Sequence, residues 1–425
     1  MRYAHSVLVT LASKGLAVPL GVLSSIVTAR LLGPPGRGVI AVLLVIQGFA
    51  IQFGSLGFNA SITYFIAKDK SLTRPVMANA LATAIVLGIV IAAILFLMGE
   101  VSPTTLLGSV DPLYLTLFLG AIPSGLVVLF FQNVFIAHQR MIAFNVLDLV
   151  ARGLQLLGFV VALVVLAQGT REAVLTMTGV FVLSALLYLV CAARIAPLSA
   201  RVDFKLFASM FRYGVRTYLA SFLMFALIRS NLFLINALLG EDASGVFSIA
   251  LQFTDLLFLL PATLGMILFP KVSEQTRDAG LLTAKVFRFS LAVITLVTLG
   301  LLPIWKPLIE LLYGAEFAGA VGPLIAFTPG IIALSLVMIL NNDLAGRGLP
   351  PIVIVAPLLG FICNVVLHFV LVPPYALVGS ALSSSVSYLL VLILLYRSFA
   401  RSVGIPHAML LLPRLSDFDP RVLRK

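Results

Sequence analysis

Two stretches of the chain, 207 residues apart, share one pattern: residues 31–39 read LLGPPGRGV and residues 238–246 read LLGEDASGV. Each stretch follows the first of six apolar runs in its half of the chain. At nearly the same offset, Asn133 corresponds to Asn341, at the ends of the fourth and tenth runs. Either match alone is weak. Together, in equivalent places, they predict an internal duplication of a six-helix unit.

The composition is that of an integral membrane protein. Of the 425 residues, 61% are hydrophobic and only 10% are charged, whereas a soluble domain carries about 25% charged residues. This excludes a cytosolic enzyme, a disordered regulator and a secreted disulfide scaffold. A net charge of +12 would suggest a nucleic-acid partner in a soluble protein. In a membrane protein it indicates basic cytoplasmic loops, so no nucleic-acid partner is expected.

Twelve apolar runs are long enough to cross a bilayer, since a transmembrane helix needs about 20 mostly apolar residues. Each half contains six runs, so both halves enter the membrane in the same direction. The predicted fold is therefore all-α and integral to the membrane, with twelve transmembrane helices in two parallel-repeat six-helix bundles, an arrangement typical of transporters. The runs lie near residues 6–32, 38–66, 76–98, 113–137, 142–167, 173–193, 213–239, 244–269, 283–303, 320–341, 351–373 and 375–396.

The basic residues are distributed unevenly between the two sides of the predicted membrane. Of the 28 Lys and Arg residues, 21 fall on the side of the N-terminus, four on the opposite side and three within spans. Cytoplasmic loops carry an excess of Lys and Arg. Both termini are therefore predicted to be cytoplasmic.

The spans divide the chain into four predicted parts. Residues 1–197 form the N-terminal bundle, 198–212 a cytoplasmic linker, 213–396 the C-terminal bundle and 397–425 a basic cytoplasmic tail. The linker, LSARVDFKLFASMFR, mixes phenylalanines with basic residues, which favours an amphipathic helix at the membrane surface. An ordinary basic linker is the alternative.

Five charged residues are predicted inside spans, where a charge costs at least about 2.5 kcal/mol and therefore faces a cavity or a partner. Asp148 and Arg152, spaced i, i+4, form either an ion pair that fixes packing or a phosphate-binding arginine held by its acid. Arg229 shares a helical face with aromatic residues, which suits sugar and phosphate binding as well as packing. Lys14 either contacts an anion or snorkels to the surface. Asp255 either carries a proton or pairs with Arg229.

The candidate substrate-binding cations are therefore Lys14, Arg152 and Arg229, with Asp148 and Asp255 as coupling or ion-pair groups. No P-loop, catalytic grouping or metal-ligand spacing is present in the sequence. Neither enzyme activity nor a metal or cofactor is expected. The polar residues predicted to line the cavity are Gln52, Asn59, Gln155, Tyr218 and Gln252.

A series of short motifs follows the chain in order, from ARLLGPPGRG at 29–38 to NNDLAGRG at 341–348. Between them lie YG at 213–214, IRSN at 228–231, GEDASGVFSIA at 240–250, FPK at 269–271, YGAEF at 313–317 and TPG at 328–330. In order and spacing the motifs resemble the polysaccharide flippases, the Wzx-type branch of the multidrug/oligosaccharidyl-lipid/polysaccharide exporter (MOP) superfamily. One departure is Asn231, because family members often have an acid there.

The resemblance implies a transporter fold like that of the MATE exporters, in the bacterial cytoplasmic membrane. It implies an undecaprenyl-diphosphate-linked oligosaccharide as substrate, moved for the assembly of surface polysaccharide such as lipopolysaccharide or exopolysaccharide. Membrane lipids and other polysaccharide-assembly proteins are the expected partners. The alternatives are a cation-coupled drug or metabolite exporter, or a lipid II flippase, which usually has two further C-terminal spans. An integral-membrane glycosyltransferase or polymerase would need a catalytic acid on a large outer loop, and the outer loops are short.

Overall fold

The computed structural model describes residues 2–101, 111–199, 201–273 and 279–403, and within these ranges the chain is helical with short turns. A π-helical turn at Val160–Val165 extends α6, and 3₁₀ turns at Lys70–Leu72 and Ala315–Ala320 precede α3 and α12. The helices are α1 (Arg2–Ser55), α2 (Phe58–Lys68), α3 (Thr73–Val101), α4 (Pro112–Phe118), α5 (Ala121–Ala137), α6 (Met141–Phe159), α7 (Thr170–Ala193), α8 (Phe204–Leu257), α9 (Leu259–Ser273), α10 (Ala279–Leu301), α11 (Trp305–Tyr313), α12 (Val321–Gly346) and α13 (Ile352–Val403).

Three of the helices contain two membrane crossings each. In the described ranges, nine helical segments are long and apolar enough to cross a membrane, and those in α1, α8 and α13 are 41, 40 and 52 residues long. Each of the three contains one residue with non-helical backbone angles, namely Gly33, Gly240 and Ala376. When these three are divided at their breaks, the described ranges contain twelve crossings, in agreement with the predicted number.

The breaks in α1 and α8 have the same backbone conformation. Gly33 has φ 65° and ψ −175°, and Gly240 has φ 85° and ψ −171°. This region of backbone space is essentially restricted to glycine. The shared glycine of the LLGxxxxGV pattern is therefore required by the turn at both places, which supports a duplicated origin.

The two LLGxxxxGV segments also contact each other reciprocally. A Cβ atom on Gly38 would collide with the carbonyl oxygen of Glu241 and lie 3.1 Å from the Gly245 nitrogen. A Cβ atom on Gly245 would collide with the carbonyl oxygen of Pro34 and lie 3.0 Å from the Gly38 nitrogen. Because Pro34 and Glu241 are equivalent positions of the repeat, this is a local two-fold contact, in which the same surface meets itself.

The chain separates into two compact units. The first contains residues 1–222 and 239–245, and the second contains 223–238 and 246–425. The first LLGxxxxGV segment and residues 239–245 of the second belong to the first unit. The bundle and tail boundaries inferred from the sequence stay predictions.

The predicted linker is continuous with the seventh span, since α8 begins at Phe204. Asn79 binds the backbone of Asp203 twice: its Nδ2 donates to the Asp203 carbonyl (3.0 Å), and its Oδ1 accepts from the Asp203 N–H (2.9 Å). Two turns further on, Ser61 Oγ donates to the carbonyl of Met210 (2.6 Å), whose side chain is buried. Phe204 is 79% exposed. This segment therefore packs one face on the first unit and leaves another uncovered.

Aromatic side chains of α2, α5 and α7 form one core of the first unit. Phe58, Phe130 and Phe135 are buried there together with Tyr188. The rings of Phe58 and Phe130 lie 5.9 Å apart, and those of Phe135 and Tyr188 also lie 5.9 Å apart. This packing fixes α2 against α5, which matters below because both helices line a cavity.

Candidate functional site

Asp148 and Arg152 form an ion pair on α6. Arg152 Nε donates to Asp148 Oδ2 at 2.9 Å. The side chain of Arg152 is 47% exposed, and that of Asp148 is 32% exposed. A Cβ atom on Gly21 of α1 would lie 3.9 Å from Arg152 Nη1. The pair uses only Nε, and the Nη groups bond no acceptor among the described residues. A guanidinium in this state keeps donors available for a phosphate.

Two of the predicted cavity residues of the first unit carry buried polar atoms without a partner in the described part of the chain. These atoms are Gln155 Nε2 and Tyr218 Oη. The Tyr218 ring stacks on Phe222 (5.6 Å between centroids), and Phe222 contacts Phe53 (4.7 Å). Since a buried polar group without a hydrogen bond is costly, these two atoms are candidate ligand or water contacts.

Gln52 and Asn59 lie at the junction of α1 and α2, and both are half-buried. Their carbonyl oxygens accept hydrogen bonds from Ser55 Oγ (2.9 Å) and Thr63 Oγ1 (3.2 Å). These bonds involve the backbone and leave the side-chain amides for other contacts.

The second unit contains a similar ion pair. Arg229 Nη1 donates to Asp255 Oδ2 at 2.9 Å, and the side chains of Arg229 and Asp255 are 35% and 43% exposed. Gln252, one turn before Asp255, is half-buried. Of the two sequence-based alternatives for Asp255, the structure shows the pairing with Arg229.

A buried hydrogen-bond chain, which sequence reasoning missed, connects Asn231 to the last two spans. Asn364 Nδ2 donates to Asn231 Oδ1 at 3.2 Å, and both residues are fully buried. The ring of His368 bonds the Asn364 carbonyl through Nδ1 (2.7 Å) and Ser380 Oγ through Nε2 (2.8 Å). The available signal was an Asn and a His spaced i, i+4 in an apolar run. The side-chain amide of Asn231 is therefore buried and hydrogen-bonded to the side-chain amide of Asn364.

A second ion pair of this unit was also missed. Asp343 is fully buried, and Arg347 binds it through Nε (2.6 Å) and Nη2 (3.2 Å). Thr283 Oγ1 donates to the same carboxylate at 2.6 Å. The acid stands in the NNDLAGRG motif, which was the signal that could have found it.

The first unit contains an open cavity of about 670 Å³ that was not predicted. Its most distinctive wall is a pair of stacked rings, Tyr64 of α2 and Tyr213 of α8, with centroids 4.4 Å apart and planes at 16°. Lys68 Nζ lies 5.9 Å from the centre of the Tyr64 ring. The full lining is Ala60, Thr63, Tyr64, Ala67, Lys68, Asn133, Ile136 and Tyr213.

Positive charge surrounds the turn that follows α5, beside this cavity. Burial, together with the charges of Lys70 and Arg140, lowers the pKa of His138 below its usual value. The His138 Nε2 atom lies 2.9 Å from Thr73 Oγ1. His138 is therefore neutral near pH 7, and the local charge comes from the lysine and arginine side chains.

The structure brings together four of the predicted charges, as the pairs Asp148–Arg152 and Arg229–Asp255. The Lys14 side chain lies outside the described residues. That Lys14, Arg152 and Arg229 share one cavity stays a prediction.

The described helices, with ion pairs in several of them and an open cavity in the first unit, are those of a multi-pass membrane protein. The fold is similar to that of an inward-facing multidrug resistance MATE family transporter of the MOP superfamily (TM-score 0.75, 14% identity, 91% of this chain and 94% of that one). It is also similar to the lipid II flippase MurJ in an inward closed conformation (TM-score 0.73, 12% identity, 97% of this chain and 89% of that one). A third similar structure is the Vibrio cholerae MATE transporter VcmN in the bent form (TM-score 0.56, 14% identity, 93% of this chain and 98% of that one).

The chain belongs to the polysaccharide biosynthesis protein family, whose model matches residues 3–275. The resemblance carried by the sequence motifs is thereby confirmed. No curated protein matches the chain significantly in sequence.

Proposed function

We propose that this protein is a flippase that moves an undecaprenyl-diphosphate-linked oligosaccharide from the cytoplasmic to the outer leaflet of a bacterial cytoplasmic membrane. The moved unit would serve the assembly of surface polysaccharide. Family membership supports the substrate class, and the transporter fold supports movement rather than catalysis. The bias of basic residues supports cytoplasmic termini.

The observation that carries this proposal is the pair of half-exposed arginines inside membrane helices. Arg152 and Arg229 each bind one aspartate at 2.9 Å and remain 47% and 35% exposed. A charge inside a membrane helix is costly, and such residues mark substrate or ion pathways. A diphosphate offers oxygen acceptors to the remaining guanidinium donors, and planar arginine suits such bidentate binding.

In this mechanism Lys14, Arg152 and Arg229 contact the diphosphate. Asp148 and Asp255 hold their arginines in place and are the groups available for coupling to an ion. Rocking of the two six-helix halves exposes the bound head group to one side of the membrane and then to the other. Membrane lipids, and other polysaccharide-assembly proteins, would contact the transporter from outside.

Arg229→Ala is expected to lower transport strongly, because one lost charge-assisted bond to phosphate costs about 1.5–3 kcal/mol of binding. Arg229→Lys should restore transport only in part, since an ammonium cannot bind in bidentate fashion. The measurement is surface-polysaccharide output in a complemented null strain, normalised to the amount of transporter in the membrane.

Two controls separate substrate binding from a packing role of the pair. Lys306→Ala removes a cation that is 70% exposed and lies 4.0 Å from Glu310, and it should leave transport unchanged. The double variant Arg229→Ala/Asp255→Ala removes the whole pair and should remain inactive. Recovery of activity in the double variant would assign Arg229 to packing and remove it from the site.

A further inference from the structure

The cavity of the first unit has the chemistry of a site for a phosphorylated sugar. Lys68 is exposed and forms no ion pair among the described residues, so its ammonium is available to an anion. The hydroxyl groups of Tyr64 and Tyr213 likewise make no hydrogen bond within the described part of the chain. Aromatic rings with polar tips bind groups that are apolar on one face and polar at the edge, as a pyranose is.

Two polar residues of the lining, Thr63 and Asn133, are held in place by hydrogen bonds of their own. Thr63 Oγ1 lies 3.1 Å from Asn133 Oδ1 and 3.2 Å from the Asn59 carbonyl. Asn133 Nδ2 donates to the Leu129 carbonyl at 2.8 Å. The orientation of the Asn133 amide is therefore set before any ligand binds, as a preorganised site requires.

Two glycines bring the tyrosines together across 149 positions of sequence. Gly57 has φ 76°, and a Cβ atom on it would collide with the carbonyl oxygen of Gly214. A Cβ atom on Gly214 would lie 2.8 Å from the carbonyl oxygen of Leu56. This close backbone approach fixes the third turn of α8 against the start of α2, with Tyr213 one residue before the contact. The backbone contact thus brings α2 and α8 close enough for the two rings to stack.

The cavity lies near the end of α2 and the end of α5, which are followed by basic residues. Lys70 donates to the carbonyl of Ala137, which ties the turn after α2 to the end of α5. Lys70, Arg74 and Arg140 surround this end of the helices. Lysine and arginine clusters next to a span attract anionic lipid head groups. This cluster of basic residues would therefore attract an anionic lipid head group to the cavity.

We propose that this cavity is a loading site that binds the phosphate-bearing sugar head of the lipid-linked substrate before transport. Lys68 binds the phosphate, the hydroxyl groups at the edges of the Tyr64 and Tyr213 rings bind the first sugar, and Thr63 with Asn133 limits its position. The proposal rests on the proposed function and adds a binding step outside the two arginine–aspartate pairs.

The test is equilibrium binding to the purified full chain in nanodiscs. The probe is undecaprenyl diphosphate carrying one N-acetylglucosamine, with undecaprenyl diphosphate and phosphatidylglycerol as comparison ligands. Lys68→Gln should weaken binding of both diphosphates about tenfold, the effect of losing one charge-assisted contact. Tyr213→Ala should weaken binding of the sugar-bearing probe alone. Tyr213→Phe keeps the stacked ring, so its affinity for this probe should lie between those of the wild type and Tyr213→Ala. Lys205→Gln removes an exposed cation of the same unit away from the cavity and should bind as the wild type does.

Three outcomes would overturn the loading site: unchanged affinity in Lys68→Gln, equal losses for both diphosphates in Tyr213→Ala, or full displacement of the probe by phosphatidylglycerol. Transport by the same variants separates this proposal from the proposed function. A wild type that transports while Lys68→Gln keeps full affinity contradicts only the loading site. A wild type that does not transport contradicts the proposed function.

Discussion

Arg347→Ala is expected to destabilise the protein by about 3–5 kcal/mol, the range for removing one partner of a buried ion pair. The substitution leaves Asp343, which is fully buried, with Thr283 as its one side-chain donor among the described residues. An uncompensated carboxylate in that position is far more costly than the lost contact itself. The measurement is the thermal midpoint of the purified protein, together with the folded fraction recovered from membranes.

The control for this prediction replaces both charges. Arg347→Met/Asp343→Leu removes the ion pair and the buried charge together, and such exchanges are often neutral. It should recover most of the stability lost in Arg347→Ala. If Arg347→Ala unfolds at the wild-type temperature, the buried pair does not stabilise the second unit as described.

Gly245→Ala is expected to separate the two LLGxxxxGV segments. Its Cβ atom would collide with the carbonyl oxygen of Pro34, and a backbone atom cannot move aside as a flexible side chain can. We expect a loss of about 1–3 kcal/mol, the usual cost of overpacking, and Gly38→Ala should cost the same because its contact is reciprocal. The double variant should cost less than the sum, since contacting residues are not additive.

Gly179→Ala is the matched control, because nothing lies within 4 Å of a Cβ atom there. Alanine in a helix is favoured over glycine by roughly 0.5–1 kcal/mol, so this variant should be at least as stable as the wild type. Equal stability of Gly245→Ala and Gly179→Ala would contradict the two-fold contact.

The helical fold could be predicted because the membrane leaves few choices. Backbone groups in lipid must bond internally, so an apolar run of sufficient length is a helix, and the repeat placed the breaks at Gly33 and Gly240. The break at Ala376 has φ 46° in a non-glycine residue. Its signal was the preceding pair of prolines, Pro373 and Pro374, which disfavour a continuous helix.

The site could be predicted only where its residues are close in sequence. Asp148 and Arg152 are one turn apart, so their pairing followed from helical geometry. Arg229 and Asp255 are 26 positions apart, and their pairing remained one of two alternatives.

Two features depended on details that the sequence pattern does not contain. Asp343 was placed beyond the tenth span, whereas α12 continues through Gly346 and buries it. The stacking of Tyr64 with Tyr213 depends on the backbone contact of Gly57 with Gly214, and no periodicity in the sequence reports such a contact.

The central claim is that the protein moves a lipid-linked oligosaccharide across a bilayer, and the most direct test is a flipping assay in proteoliposomes. Purified protein is reconstituted with undecaprenyl-diphosphate-linked oligosaccharide from a strain that accumulates it, and the fraction reached by an added glycosidase is followed with time. We predict movement that requires the protein, is strongly reduced by Arg229→Ala and is normal in Lys306→Ala. Wild-type vesicles that move the substrate no faster than protein-free vesicles, while transporting a cationic drug or lipid II, would contradict the account.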